Sequence, residues 1–361
     1  MTHRPLILTF CAALLAGLFG VSVITPAPAY AATPSPMATR TPTATRTPAV
    51  SPTPTATPIP QPYDPAPVSG LLSGIAPTQY LSDKCQYIRE YWDPQNSQPG
   101  TIVAPVMFHS VTLPGHPIPA SDHTSISAES FANFMEHARQ LGFQTITATQ
   151  LVNFLEHNAK IPPRSMILII DDRRPGTVRE HFLPLLNQYD WTVTLGYITG
   201  VVQPPEWQEL DALAATGRID VQAHGFLHNG STYITAFTPE ETVLREIFAP
   251  VPLIRQHFGN DPVAFIWPGG DFTAASVQMA RQAHYRIGFT SYSRGPVAFN
   301  WIPQGAEERA AGDPRMLLPR YWSPAAFVAL DESARISDQQ AAYAAAHKAE
   351  QLQWQAQNCP E

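Results

Sequence analysis

Two aspartates stand side by side at residues 171 and 172, where the apolar run "MILII" stops, and two arginines follow them. Adjacent carboxylates repel unless a cation or a shared proton relieves them. A divalent metal does this by taking one carboxylate as a ligand and leaving the other free as a base. A solvated turn or a helix cap is the plainer use of such a pair. Further on, "VQAHGFLHNG" sets His224 and His228 four residues apart behind a second apolar run. Imidazoles at this spacing can grip one metal if the segment turns helically, although His-x-x-x-His also arises by chance. Asp172 offers a third ligand. Two His and one Asp leave open positions for water, as a catalytic metal centre requires. His109 and the turn Pro268-Gly269-Gly270 likewise follow apolar runs.

These residues need a scaffold that brings the ends of several strands together. Strands are predicted over 101–109, 166–171, 191–198, 219–224, 263–267, 286–290 and 315–322. Helical spacing of apolar residues predicts helices between them, over 127–142, 147–160, 176–189, 206–217, 238–259 and 273–285. Thr238 and Glu241 have the spacing of a capping box for the fifth helix. Alternating strands and helices read as a parallel α/β fold, and about seven strands suggest a barrel, closed or incomplete. Parallel barrels carry their chemistry at the C-terminal strand ends. His109, Asp171–Asp172, His224 and Pro268–Gly270 all lie at or just past such an end. Residues 331–358, rich in Ala, Gln and Glu, read as a helical tail.

In this order the motifs resemble the polysaccharide deacetylases of the NodB-homology type, a carbohydrate esterase family. The resemblance covers roughly residues 100–325. The family's Thr-Phe-Asp-Asp-Gly motif is matched by Ile169-Ile170-Asp171-Asp172-Arg173, its His-x-x-x-His motif by His224 and His228, and its Pro-aromatic-Gly turn by Pro268-Gly269-Gly270. "APVMFHSV" (104–111) is similar to the opening of the poly-N-acetylglucosamine deacetylase branch, in which the catalytic-acid histidine comes first in the chain. The resemblance implies a distorted (β/α)7 barrel. It implies Asp172, His224 and His228 as ligands of a divalent metal, Zn2+ with Co2+ or Ni2+ as alternatives. Asp171 would be the general base, His109 the acid on the leaving amine, and the Gly269 N–H a donor to the oxyanion. A buried, hydrogen-bonded histidine is the structural alternative for His109. Helical patterns make His137, His157, His181 and His257 surface or core residues. Trp191, Trp267, Trp301 and Trp322 could stack on sugar rings, with core packing expected for most.

Three of the sequence's departures from the family bear on the site's chemistry. Arg173 stands where the family has glycine. A positive φ there would cost an arginine roughly 1–2 kcal/mol. Gly269 replaces the aromatic residue of the third motif. The arginine that many members carry before that motif's proline is missing, since the region reads Ile266-Trp267. Arg173 or Arg174 is the expected substitute, orienting Asp171.

The ends of the chain differ from its middle. Residues 1–31 read as a secretory signal, with Arg4, an apolar run from Leu6 to Ile24, and Ala29-Tyr30-Ala31 as the cleavage site. A retained anchor is the alternative. Cys11 follows Phe10 inside the apolar run, so it does not read as a lipidation site. Residues 32–67 form a Thr/Pro-rich linker that buries no core and should be disordered. At ~3.1 Å per residue it would reach on the order of 100 Å, as a stalk or a bare linker. Residues 68–330 are then the catalytic domain and 331–361 the tail. Cys85 and Cys359 could form a disulfide joining the domain's ends, or remain thiols. The net charge of −7, with no Lys/Arg cluster, argues against nucleic acid as a partner. No membrane partner is expected once the signal is removed. The expected activity is an exported, metal-dependent deacetylase acting on an N-acetylated polysaccharide. A non-catalytic glycan-binding relative, or a metal amidohydrolase or glycosidase on the same barrel, are the rivals.

Overall fold

A computed structural model describes residues 64–360, except 114, 119–121 and 231. The proposed signal and most of the Thr/Pro tract lie outside the described residues. Seven strands run parallel: β1 (Ile102–Phe108), β2 (Arg164–Asp171), β3 (Val193–Tyr197), β4 (Ile219–Ala223), β5 (Ala264–Ile266), β6 (Ile287–Phe289) and β7 (Tyr321–Trp322). Their order in the sheet is β6-β5-β4-β3-β2-β1, with β7 on the far side of β1. β1 and β3 are buried along their whole length, and β2 from its second residue onward. That burial explains the near-continuous Val, Ile, Leu and Met runs in place of alternation. The sheet curls far enough for Leu318, just before β7, to bridge Phe289 of β6. The outer edge of β1 is shared, because Val297–Ala298 pairs antiparallel with its first residues and β7 with its last. The described part of the chain is thus the distorted seven-stranded barrel expected from the sequence.

Helices α1 (Lys84–Trp92), α2 (Ala128–Gln140) and α3 (Ala148–His157) begin at side-chain caps from Asp83, Ser127 and Thr147. Each such cap is worth about 1 kcal/mol. Against the inner core, Phe108 of β1 packs edge-to-face on Phe131, Phe134 and Phe182. The helix predicted over 176–189 is interrupted. A π-turn at Val178–Phe182 precedes α4 (Leu183–Tyr189), which carries Pro184 in its first turn. Proline has no N–H to extend the regular ladder backward, and the Leu183 N–H reaches Val178 O instead. α5 (Pro204–Ala214) follows β3.

The helix predicted over 238–259 is two helices, α6 (Glu240–Phe248) and α7 (Pro250–Phe258), broken at Pro250. The expected Thr238–Glu241 capping box does not form. Pro239 occupies the cap position, and the Thr238 hydroxyl bonds the Tyr233 carbonyl oxygen. α8 (Ala274–Gln282) and α9 (Ala306–Ala311) complete the outer layer. The stretch read as a tail continues a 33-residue helix, α10 (Ala326–Asn358), which starts before the predicted boundary at 330/331. Its small residues allow close packing, and Ser337 Oγ donates to Gly100 O at 2.7 Å. Trp92 Nε1 donates to Gln351 Oε1 at 2.8 Å, and Cys85 of α1 is bonded to Cys359.

Candidate active site

Four strand ends converge on one cavity of about 290 Å3. His109, Asp171, Asp172, His224, His228 and Gly269 all line it, so the candidate metal ligands, base, acid and oxyanion donor from the sequence are brought to the same place. A larger cavity of about 790 Å3 lies around Ile219–Gln222 and His257 and gathers none of them.

Asp171 is the last residue of β2 and is buried. Its two oxygens accept hydrogen bonds from Arg320 Nη1 at 2.7 and 2.8 Å. Burial alone would raise its pKa. The Arg320 guanidinium, helped by His224 and His109, outweighs burial and holds the carboxyl at about 2. Arg320 is itself 1% exposed, and its Nε donates to Thr290 O at 2.7 Å. The guanidinium facing Asp171 therefore comes from the segment before β7, and neither Arg173 nor Arg174 supplies it. Arg173 Nη1 donates to Val201 O, and Arg174 Nη2 lies 3.3 Å from Asp172 Oδ2.

The turn after the carboxylates also differs from expectation. The left-handed residue is Asp172, at φ 70°, and Arg173 is not among the residues with positive φ. Aspartate tolerates that region better than most L-residues. The glycine of the family motif is thus not needed for the turn, and its replacement by arginine carries no such strain. The positive φ turns the Asp172 carboxylate toward the histidines. Its Oδ1 is 3.8 Å from His224 Nε2.

His224 follows β4 directly and is buried. Its Nδ1 lies 2.9 Å from Ile266 O, an acceptor only, so Nδ1 carries the proton and Nε2 presents a lone pair. That Nε2 is buried without a hydrogen-bond partner among the described residues. Burial, against the pull of Asp171, pushes the imidazole down to about 4 and keeps it neutral at pH 7. The His228 ring is 4.3 Å from that of His224. Ligand atoms of Asp172, His224 and His228 all lie within 4.8 Å of one another. An orphaned buried nitrogen beside a second imidazole and a carboxylate fits a divalent metal bound by two His and one Asp.

His109 sits where β1 leaves the barrel, between β1 and a small outer strand at Ser110–Thr112. Its Nε2 is 3.8 Å from Asp171 Oδ2, and its ring stacks on Trp322 of β7. Trp322 is the one tryptophan of the four considered that lines the cavity, and the other three are buried in the core.

Residues 158–288 match the polysaccharide deacetylase family. The chain carries a polysaccharide deacetylase domain. The matched stretch contains Asp171, Asp172, His224, His228 and Gly269, the residues whose convergence was just described. Solved structures agree in fold. The deacetylase PplD of Streptococcus pyogenes, in complex with acetate, has a TM-score of 0.53 at 15% identity, over 64% of this chain and 98% of that one. A de-N-acetylase from Aggregatibacter actinomycetemcomitans has a TM-score of 0.50 at 14% identity, over 61% and 94%. No curated protein matches the chain by sequence.

Two groups in the cavity of this deacetylase domain, His109 and Arg320, lie outside the matched stretch, one on each side. Sequence reading found His109 but missed Arg320. The only signal for Arg320 was its place in "LPRYW", beside the last apolar run. At the third motif, Gly269 has φ 66°. A Cβ there would meet the Tyr233 ring at 3.0–3.3 Å, so an aromatic side chain from another loop covers this glycine.

Proposed function

We propose that the protein is an exported, metal-dependent hydrolase that removes N-acetyl groups from a polysaccharide of N-acetylated amino sugars at the cell surface or outside the cell. The observation that carries this reading is the His224 Nε2 lone pair, buried without a partner between Asp172 and His228 and 3.7 Å from the ionised Asp171. Asp172, His224 and His228 would hold the ion, with Zn2+ the best match to the nitrogen-rich set and Co2+ or Ni2+ as alternatives. When bound, the ion supplies Lewis-acid polarisation of the acetamide carbonyl and a more acidic water.

The remaining work falls to the protein's own groups. Asp171, kept ionised by Arg320, takes a proton from the attacking water on Oδ2. The Gly269 N–H donates to the oxyanion as the carbonyl becomes tetrahedral. His109 delivers a proton to the sugar nitrogen as the C–N bond breaks, and Trp322 holds the imidazole ring in place. Water is consumed, and acetate and a free amine leave. Export rests on residues 1–31 as a cleaved signal, and N-terminal sequencing of the secreted protein tests it. No helix among the described residues is long and apolar enough to cross a membrane.

Acetate release from N-acetylglucosamine oligomers and from cell-wall glycan, with and without added Zn2+, Co2+ or Ni2+, tests the activity. We expect metal-dependent acetate that falls at least about 100-fold in Asp171→Asn. Acetate that is unchanged in Asp171→Asn, or metal binding with no acetate from any of these glycans, would overturn the reading. One observation favours a second reading. Arg174 lies on Asp172, the carboxylate a metal would use. A protein that binds glycan but no metal would be a non-catalytic relative.

A further inference from the structure

Glu246 is a charged side chain with 0% exposure that the mechanism above does not use. It projects from α6 into the loop that follows β4. Its Oε2 accepts from the backbone N–H of Phe226 at 2.8 Å, Leu227 at 3.0 Å and His228 at 3.2 Å, and its Oε1 accepts from Leu227 at 3.0 Å. Three consecutive amides close around one carboxylate, as in an anion-binding nest. A side chain at Gly225 could not coexist with this contact. A Cβ there would lie 2.6 Å from Glu246 Oε2, so the glycine leaves the space that the carboxylate fills.

The third of these amides belongs to His228, a residue held at φ 43°. An L-residue adopts that conformation only when its surroundings impose it. The two histidines are fixed by different means. His224 is tied by its own imidazole to Ile266 O and by its N–H to Tyr197 O. The His228 imidazole makes ring contacts, to His224 and Tyr233, and no hydrogen bond among the described residues. The position of its ring therefore depends on its backbone, and its backbone is held by Glu246.

We propose that Glu246 is a positioning residue of the metal centre. By clamping residues 226–228 it sets the second histidine at the distance from His224 and Asp172 that one ion requires. This rests on the proposed metal-binding role of Asp172, His224 and His228. Groups that orient metal ligands without touching the ion typically change affinity 10–100-fold when removed.

The test is the Zn2+ dissociation constant of the purified protein, read by competition with a chromophoric chelator, for wild type, Glu246→Gln, Glu246→Leu and Tyr285→Phe. Tyr285 donates to Ile247 O in the same helix and packs its ring on Phe265, with no hydrogen bond to residues 226–228 among the described residues, so its variant controls for loss of stability. Glu246→Gln keeps one acceptor oxygen and should weaken Zn2+ about tenfold. Glu246→Leu keeps none and should weaken it about 100-fold. Tyr285→Phe should lower the apo-protein melting temperature and leave Zn2+ affinity unchanged. Wild-type affinity in both Glu246 variants, with a lowered melting temperature, would reduce Glu246 to a structural role. Hydrogen exchange of wild type gives a readout that needs no variant: the amides of residues 226–228 should be protected without metal. Free exchange there would overturn the proposal. Absence of Zn2+ binding in wild type would instead sink the metal reading itself.

Discussion

Arg320 and Asp171 form a buried ion pair in which each group satisfies the other at a strand end. Such a pair adds little stability over an apolar replacement of both partners. Breaking it on one side leaves a stranded charge and costs about 3–5 kcal/mol. Arg320→Met should therefore lower the denaturation midpoint strongly, as urea unfolding would measure. It should also lower acetate release at least about tenfold, because Asp171 would no longer be held ionised and in place. Arg320→Lys should recover part of both, since it keeps the charge but loses the planar fork. Asp171, Asp172, His224, His228 and His109 were legible in the sequence because their types carry chemistry and they follow apolar runs. Arg320 was not legible because its partner is 149 residues away and only barrel closure brings them together. Arg173 misled for a related reason: the sequence shows which residue replaces glycine but not which residue takes the positive φ.

At the scale of elements, the strand ends position the site and the turns after them give it shape. The turn after β5 is the tightest case. Gly270 has φ 84°, and a Cβ on it would fall 2.1 Å from Ser291 Oγ and 2.7 Å from Ser291 N. Gly270→Ala should cost more than about 2 kcal/mol, from the left-handed backbone together with a contact to fixed backbone. Urea unfolding of that variant, with Gly142→Ala as a positive-φ glycine in open space, separates the two contributions. The long apolar runs gave β1 and β2 clearly, because both are buried on both sides. The run 315–322 read as one strand but is a 3-10 turn at Pro314–Met316, a bridge at Leu318 and a two-residue strand. Pro319 cannot donate to a ladder, and it marks where the segment passes from β6 to β1. The divided helix at 238–259 was similarly announced by Pro250, whose missing N–H ends the run of helical hydrogen bonds.

At the scale of the molecule, α10 packs along the barrel and returns the chain to α1, where Cys359 meets Cys85. The bridge spans 274 residues. Cross-links that close long loops stabilise by restricting the unfolded chain, typically by 2–4 kcal/mol. Cys359→Ser should lower the melting temperature by several degrees under oxidising conditions, and the difference from wild type should vanish with reductant. Composition suggested this pairing, since two of the three cysteines lie beyond the proposed signal. The path of the chain between them was not in the sequence.

The bridge makes the polypeptide between residues 85 and 359 a closed ring, and all the residues of the active site lie within that ring. A single cut by a protease in a surface loop between Cys85 and Cys359 opens the ring but does not divide the molecule. The pieces stay tethered through sulfur, with His109 and Arg320 still on one covalent body. For the exported enzyme proposed above, in surroundings where proteases are common and thiols scarce, the ring would give tolerance to the first nick.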